Sequence, residues 1–130
     1  MELNALSSRI IKAAIEVHKG LSPGLLESVY QKGMALEFKQ MGLKFQMEVA
    51  LPVHYKGKKI EEEGFRLDLL VEDTIVVELK SVAEILPIHK KQLLTYLKLS
   101  NKPLGLLINF NEVLLKDGIT RIVNNLIEDE

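Results

Sequence analysis

The sequence of 130 residues contains no cysteine and no tryptophan. The absence of cysteine excludes disulfide bonds, thiolate metal sites and cysteine nucleophiles. No apolar run approaches the roughly 18–20 residues that span a bilayer, and the first twenty residues lack the apolar segment and cleavage site of a signal peptide. We therefore expect a cytoplasmic protein that does not associate with membranes.

The sequence also has no large excess of positive or negative charge. The 17 basic and 18 acidic residues give a net charge of −1. Binding of nucleic acid without sequence preference depends on phosphate neutralisation, so this balance argues mildly against it, although local basic clusters matter more than the sum. The apolar content of 47% and charged content of 27% are typical of a globular domain, and we predict one domain over residues 1–130.

Nucleotide-binding and zinc motifs are absent as well. No GxxxxGK[ST] or GxGxxG stretch occurs, which excludes the usual phosphate-binding loops. The three histidines do not have the spacing of zinc ligands.

Hydrophobic periodicity predicts an α/β fold, a mixed β-sheet flanked by helices in the order ααβββαββ. The predicted helices cover residues 3–19, 23–41 and 87–100. Gly20 is expected to stop the first helix, Ser22-Pro23 to start the second, and Gly42 to end it. The predicted strands cover residues 43–55, 64–71, 75–81 and 104–110, followed by a short hairpin or strand pair within 113–126. The expected core side of the second helix consists of Leu26, Val29, Met34, Ala35 and Phe38.

Charged residues interrupt the apolar stretch RLDLLVEDTIVVELKS at residues 66–81. A three-residue turn at 72–74 would place Asp68 directly opposite Glu78, with both side chains on one face of the hairpin. Period-2 alternation adds Arg66 and Lys80 to that face. The other face would be entirely apolar, with Leu67, Leu69, Val71, Ile75, Val77 and Leu79.

Two interpretations of this charged face remain open. Like charges directly across two strands are destabilising, and a divalent cation between Asp68 and Glu78 would remove that cost. Two carboxylates, waters and substrate phosphate are ligands that Mg²⁺ prefers. The alternative is a solvated surface on which Lys80 and Arg66 balance the carboxylates.

Three motifs carry a resemblance to a known family. Asp68, followed about ten residues later by Glu78-Leu79-Lys80, resembles the active site of the PD-(D/E)XK nuclease superfamily. The segment GLLESVY at 24–30 is similar to the GxxExxY signature of a small prokaryotic protein family in that superfamily. Gln92 and Tyr96 resemble the QxxxY motif of phage-lambda-type exonucleases. The resemblance extends over roughly residues 8–125.

The resemblance implies a PD-(D/E)XK nuclease-like core and Mg²⁺-dependent hydrolysis of phosphodiester bonds in DNA, with Mn²⁺ as an alternative ion. The implied catalytic residues are Glu27, Asp68, Glu78 and Lys80, and the implied metal ligands are Glu27, Asp68, Glu78 and the Leu79 carbonyl. Lys80 would orient the attacking water and stabilise the transition state. Supporting roles are expected for Tyr30, Gln92 and Tyr96, and phosphate contacts for His89, Lys90 and Lys91.

Two other functions remain compatible with the sequence. One is a non-catalytic module that keeps the nuclease scaffold and binds nucleic acid or protein, which the near-neutral charge favours. The other is a phosphohydrolase acting on something smaller than DNA. We expect an enzyme whose partner is nucleic acid, and no sequence feature assigns an oligomeric state or a protein partner. Stabilisation by Mg²⁺ or Mn²⁺ would distinguish a catalytic site from a binding module.

Overall fold

The computed structural model describes residues 1–124, which form a five-stranded mixed sheet with helices on both faces. The elements in chain order are α1 (Leu3–Leu21), α2 (Glu27–Met41), β1 (Phe45–Tyr55), β2 (Lys58–Val71), β3 (Ile75–Lys80), α3 (Pro87–Ser100), β4 (Leu104–Asn109), a 3₁₀ turn (Leu115–Gly118) and β5 (Ile119–Val123). This order confirms the predicted ααβββαββ arrangement. Within the described residues no helix is both long and apolar enough to cross a membrane.

The strand order in the sheet follows the chain, β1-β2-β3-β4-β5. The connection through α3 makes β3 and β4 parallel, whereas the other neighbouring strands are antiparallel. A helical crossover is the usual way to join parallel neighbours, because a tight turn can join only antiparallel ones. The crossover leads out of the end of β3, the strand that carries Glu78 and Lys80.

Both faces of the sheet are covered. Helices α1 and α2 share one core with side chains of the sheet, including Leu69, Val77 and Leu106. Helix α3 builds a second core on the other face, where Leu93 and Leu97 join residues of the strands. The second core consists of Phe65, Leu67, Leu70, Val76, Leu93, Leu97 and Leu107. On the charged side of the β2–β3 hairpin Glu78 is buried, Asp68 and Lys80 are half-buried, and Arg66 is exposed.

The alternation of β1 and β2 is interrupted near Glu48 and Asp68, and the register shifts again between Leu51 and His54. Leu67 belongs to the α3 core and Leu69 to the α1–α2 core, so the prediction that both lie on the same apolar face is wrong. Neighbouring strand pairs place Glu48 opposite Asp68, and Glu48 has a φ of 54°. A local backbone irregularity of this kind redirects side chains. Here it redirects those of Glu48 and Asp68.

The loop between α1 and α2 differs from its predicted course. Helix α1 continues through Gly20, which the sequence predicted as its end, and stops at Leu21 because Ser22 has a φ of 65°. The second helix begins at Glu27 rather than at residue 23. Gly24 has a φ of 101°, which a right-handed helix does not permit.

The late start of α2 also corrects two core assignments. Leu26 lies before the helix and is 75% exposed, and Val29 is 38% exposed, so neither belongs to the core. Met34, Ala35 and Phe38 are buried as predicted.

The last part of the chain contains no separate hairpin within residues 113–124. The stretch around Lys116-Asp117-Gly118 forms the 3₁₀ turn, and β5 then pairs antiparallel with β4. The prediction of a short hairpin or strand pair within 113–126 is therefore wrong, because the described part of this segment contains a single strand that pairs with β4. Residues 125 and 126 lie outside the described residues.

Candidate active site

The carboxylates of Asp68 and Glu78 accept main-chain hydrogen bonds where the regular pairing of β2 and β3 ends. The hairpin has the predicted pairing of 71 with 75, 70 with 76 and 69 with 77. At the next position the Asp68 N–H donates to Oε2 of Glu78 at 3.0 Å, and the Leu79 N–H donates to Oδ2 of Asp68 at 2.8 Å. Each carboxylate is thus fixed by the main chain of the opposite strand.

Burial raises the pKa of both carboxyl groups. Glu78 is 8% exposed, and this burial, followed by the charge of Asp68, raises its pKa to about 8. Burial is also the largest cause that raises the pKa of Asp68, and the charges of Glu48 and Glu27 add to it. The Leu79 N–H lowers the pKa of Asp68, and Lys80 lowers the pKa of both groups. Loss of water is therefore a larger effect here than repulsion within the pair.

The basic side chains near the two carboxylates are not arranged as the solvated-surface interpretation predicts. Arg66 forms a salt bridge with Glu63 at 2.6 Å. No salt bridge within residues 1–124 involves Asp68 or Glu78. Lys80 is half-buried and acts on both carboxylates through its charge without touching them as an ion pair. Two partly buried carboxylates consequently share a site that has a deficit of positive charge.

Glu27, the first residue of α2, lies beside Asp68. Both line a cavity of about 200 Å³, whose wall consists of Glu27, Ser28, Gln31, Glu48, Asp68 and Leu79. The cavity contains three of the four residues predicted as metal ligands. Glu78 is not one of the lining residues, and it is connected to the site through its hydrogen bond to the Asp68 N–H.

The glycine and tyrosine of the GxxExxY segment build the loop that leads to Glu27. The Tyr30 hydroxyl accepts a hydrogen bond from the Leu25 N–H at 3.1 Å and donates to the Ser22 carbonyl at 2.6 Å. The ring of Tyr30 is fully buried. Ser81 donates to the Leu25 carbonyl at 2.7 Å, which ties the same loop to the end of β3. The motif therefore holds the start of α2 against the carboxylate end of the sheet.

Gln31 and Glu48 are parts of the site that the sequence did not predict. The Gln31 Nε2 donates to Oε2 of Glu48 at 2.7 Å and to the main-chain carbonyl of Asp68 at 2.9 Å. Gln31 is buried although it is polar, and it lies four residues after Glu27, on the same helix face. This four-residue spacing from Glu27 is the feature of the sequence that could have identified Gln31 as part of the site. Glu48 occupied a polar position of an alternating strand, where a solvent-facing residue is expected.

Helix α3 brings one of its predicted supporting residues close to the carboxylates. Tyr96 is half-buried and stacks on Phe65 with ring centroids 5.0 Å apart. Burial raises the pKa of Tyr96, and the charges of Glu78 and Asp68 raise it further. Gln92, one turn earlier in the helix, is exposed.

The residues predicted to contact phosphate lie in the first turns of α3. Lys90 and Lys91 are exposed. The His89 Nδ1 accepts a hydrogen bond from the Leu86 N–H at 2.9 Å and so caps the helix. These residues follow the β3–α3 connection and thus begin the helix next to the carboxylate end of β3.

A buried asparagine fixes the chain just after Lys80. Asn109 is fully buried, its Oδ1 accepts hydrogen bonds from the Val82 and Asn111 N–H groups, and its Nδ2 donates to the Val82 carbonyl at 3.0 Å. The sequence predicted this stretch only as a buried strand. Asn109 pairs with Lys80 across β3 and β4, so it positions the segment that leaves the site.

The donor set fits a hard divalent cation with few protein ligands. Within residues 1–124 no three His, Cys, Asp or Glu side chains are close enough to hold an ion together. Mg²⁺ is commonly bound by one or two carboxylates, with waters and substrate phosphate as its other ligands. Asp68 and Glu78 each use one oxygen for a main-chain N–H, and no hydrogen bond among the described residues reaches the other oxygen.

The sequence profile of the PD-(D/E)XK nuclease superfamily matches residues 4–122. The chain therefore belongs to that superfamily. The crystal structure of SSO0001 is similar to it, with a TM-score of 0.50 and 25% sequence identity. The similarity covers 78% of this chain and 51% of SSO0001, so the chain spans about half the length of that protein. No curated protein matches the sequence significantly.

Proposed function

We propose that this protein hydrolyses phosphodiester bonds of DNA with the help of Mg²⁺ or Mn²⁺ bound at Asp68 and Glu78. One observation carries the proposal. Two carboxylates of a nuclease-superfamily chain are partly buried side by side, are held by main-chain N–H groups and have no basic side chain within ion-pair distance among residues 1–124. Burying two carboxylates without a basic side chain at ion-pair distance costs free energy, and a cation bound between them in the native protein explains the arrangement.

The ligands we propose are Asp68, Glu78 and the Leu79 carbonyl, with Glu27 acting from the cavity wall through water. When bound, the ion neutralises the carboxylates and stabilises the negative charge that develops on the phosphate oxygens. The hydrogen bonds at Asp68 and Glu78 keep both groups in place before the substrate arrives.

Lys80 supplies the positive charge of the reaction. Its ammonium group lies on the strand of Glu78, and its influence on both carboxyl pKa values indicates that it is close to them. We assign it to orient the attacking water and to stabilise charge on the phosphate in the transition state. An ammonium group without a salt bridge within the described residues is available for this role.

Helix α3 is the element we assign to substrate contact. Gln92 is exposed for contact with substrate, and Tyr96 supports the carboxylate end of the sheet from the stack with Phe65. His89, Lys90 and Lys91 would contact the phosphate backbone from the first turns of the helix, where the helix dipole also attracts anions.

The test is a cleavage assay on end-labelled single-stranded, duplex and branched DNA. We expect cleavage with Mg²⁺ or Mn²⁺ and none with EDTA. Asp68→Asn should lower the rate by at least about 100-fold, because it removes a charged ligand. Asp117→Asn, a change of the same kind at an exposed carboxylate of the 3₁₀ turn, should leave the rate unchanged.

Two results would overturn the proposal. One is equal cleavage by the wild type and Asp68→Asn. The other is DNA binding by the wild type without cleavage of any of the three substrates, which would identify a non-catalytic binding module.

A further inference from the structure

Glu48 is held in its position by its neighbours rather than by its own backbone preference. It has a φ of 54° inside β1, in the left-handed region that a residue with a side chain rarely adopts. Backbone conformations of this kind persist where surrounding contacts impose them, and they cluster at functional sites. Asparagine or glycine would adopt this conformation more readily.

The carboxylate of Glu48 accepts a hydrogen bond from Gln31. The Gln31 amide faces two oxygen atoms, Oε2 of Glu48 and the main-chain carbonyl of Asp68. A carbonyl oxygen can only accept a hydrogen bond, and so can the oxygen of an ionised carboxylate. The amide nitrogen rather than its oxygen must therefore face them. A buried glutamine that donates twice is connected to the carboxylate on one strand and to the main chain of Asp68 on the next.

The geometry points to Glu48 as a further cation-binding carboxylate of the cavity, with Gln31 as a positioning residue that acts through it. This inference rests on the proposed function. Glu48 lines the same cavity as Asp68 and Glu27, and no salt bridge within residues 1–124 neutralises it. The ligand is a divalent cation, which Glu48 would reach through the water molecules around the ion. A role in packing alone would not need a charge at this strained position.

The experiment is calorimetric titration of the full chain with Mn²⁺ in the absence of DNA. Residues around a metal site that contact its ligands typically change the affinity 10–100-fold when they are mutated. We therefore expect Glu48→Gln and Gln31→Leu each to weaken Mn²⁺ binding about 10-fold. The double variant should be about as weak as either single variant, because the two side chains act as a unit. Glu61→Gln, which removes an exposed carboxylate from β2, is the matched control and should bind Mn²⁺ like the wild type.

A second variant separates charge from backbone strain. Glu48→Asn relieves the left-handed backbone and removes a negative charge near Asp68. Because both changes stabilise the metal-free protein, its melting temperature without metal should rise by about 2–4 °C. Mn²⁺ binding should weaken about as much as in Glu48→Gln. If Gln31→Leu does not fold stably, the two Glu48 variants still test the inference.

The outcomes distinguish this inference from the proposed function. Normal Mn²⁺ affinity in both Glu48 variants would overturn the role of Glu48 alone. A wild type that binds no Mn²⁺ or Mg²⁺ would overturn both. A wild type whose Mn²⁺ binding depends on Glu48 but which cleaves no DNA would support the cation role and contradict the nuclease proposal.

Discussion

Asp68 and Glu78 connect the two strands of the hairpin, because the Glu78 carboxylate accepts the Asp68 N–H and the Asp68 carboxylate accepts the Leu79 N–H. The two strands are thereby connected at the position where the regular pairing of β2 and β3 ends. The same bonds hold two carboxyl groups close together in a poorly hydrated place. Several measurable properties of the metal-free protein depend on this relationship.

Asp68→Asn should stabilise the metal-free protein. The asparagine oxygen can still accept the Leu79 N–H, and the neutral side chain avoids the cost of a partly buried charge beside Glu78. We expect the free energy of unfolding at pH 8 with EDTA to rise by on the order of 1 kcal/mol, the size typical of a single substitution. Urea denaturation measures it. Asp117→Asn should change it by no more than about 0.5 kcal/mol, and a large loss in Asp68→Asn would indicate that the charge itself stabilises the fold.

The metal-free protein should lose stability as the pH rises from about 4.5 to about 8. The folded pKa of Glu78 is raised to about 8 from an ordinary value of 4.5, so the folded state binds more protons than the unfolded state across this range. Stability is then fully present below the unfolded pKa and is lost as the pH rises through the folded one. The slope contributed by Glu78 should be at most about 1.4 kcal/mol per pH unit.

Glu78→Gln provides the control for that slope. Denaturation curves with EDTA at pH 5, 6, 7 and 8 should show a flatter pH dependence in the variant than in the wild type. Parallel curves for both proteins would mean that Glu78 titrates near its ordinary pKa.

Tyr30→Phe should weaken the loop that leads to Glu27. The change removes the hydroxyl from a fully buried ring and leaves the Leu25 N–H and the Ser22 carbonyl without this partner. The expected loss is about 1–3 kcal/mol of unfolding free energy. Tyr55→Phe is the matched control, since Tyr55 is 60% exposed, and it should be neutral. Equal stability of both variants would show that the hydroxyl of the motif does not hold the loop.

Lys80→Met should have the opposite effect on stability from Asp68→Asn. The change removes the positive charge that lowers the pKa of both carboxyl groups and leaves the carboxylates less compensated. We expect the metal-free protein to lose on the order of 1 kcal/mol at pH 8. Lys12→Met on α1 should have little effect. A stabilised Lys80→Met protein would place the ammonium group too far away to act on the pair.

The sequence predicted the elements that have a strong period and missed what depends on contacts distant in the chain. The hairpin register between 69 and 77 follows from the length of its turn, and it was predicted correctly. The start of α2 was not, because Ser22-Pro23 resembles a helix start while the positive φ of Gly24 delays it. The stop expected at Gly20 failed because Ser22 supplies the left-handed residue instead.

The site was only partly predictable for a similar reason. The short Asp68 and Glu78-x-Lys80 pattern is local and can be read directly. Glu48 lies at the site because the alternation of two paired strands is irregular there. Such an irregularity depends on how the two strands pair and cannot be predicted from either segment alone. Glu78 is buried although the alternation alone would leave its face in water, so its burial depends on contacts outside the hairpin.

The most direct test of the cation site is the melting shift that Mg²⁺ or Mn²⁺ produces in the wild type, Asp68→Asn and Lys80→Met. A ligand that binds only the folded state raises its stability by mass action. We expect a clear rise in melting temperature for the wild type, a similar rise for Lys80→Met, which keeps every carboxylate, and little or none for Asp68→Asn. Equal shifts in all three proteins, or no shift in the wild type, would contradict the assignment of Asp68 and Glu78 as a metal site.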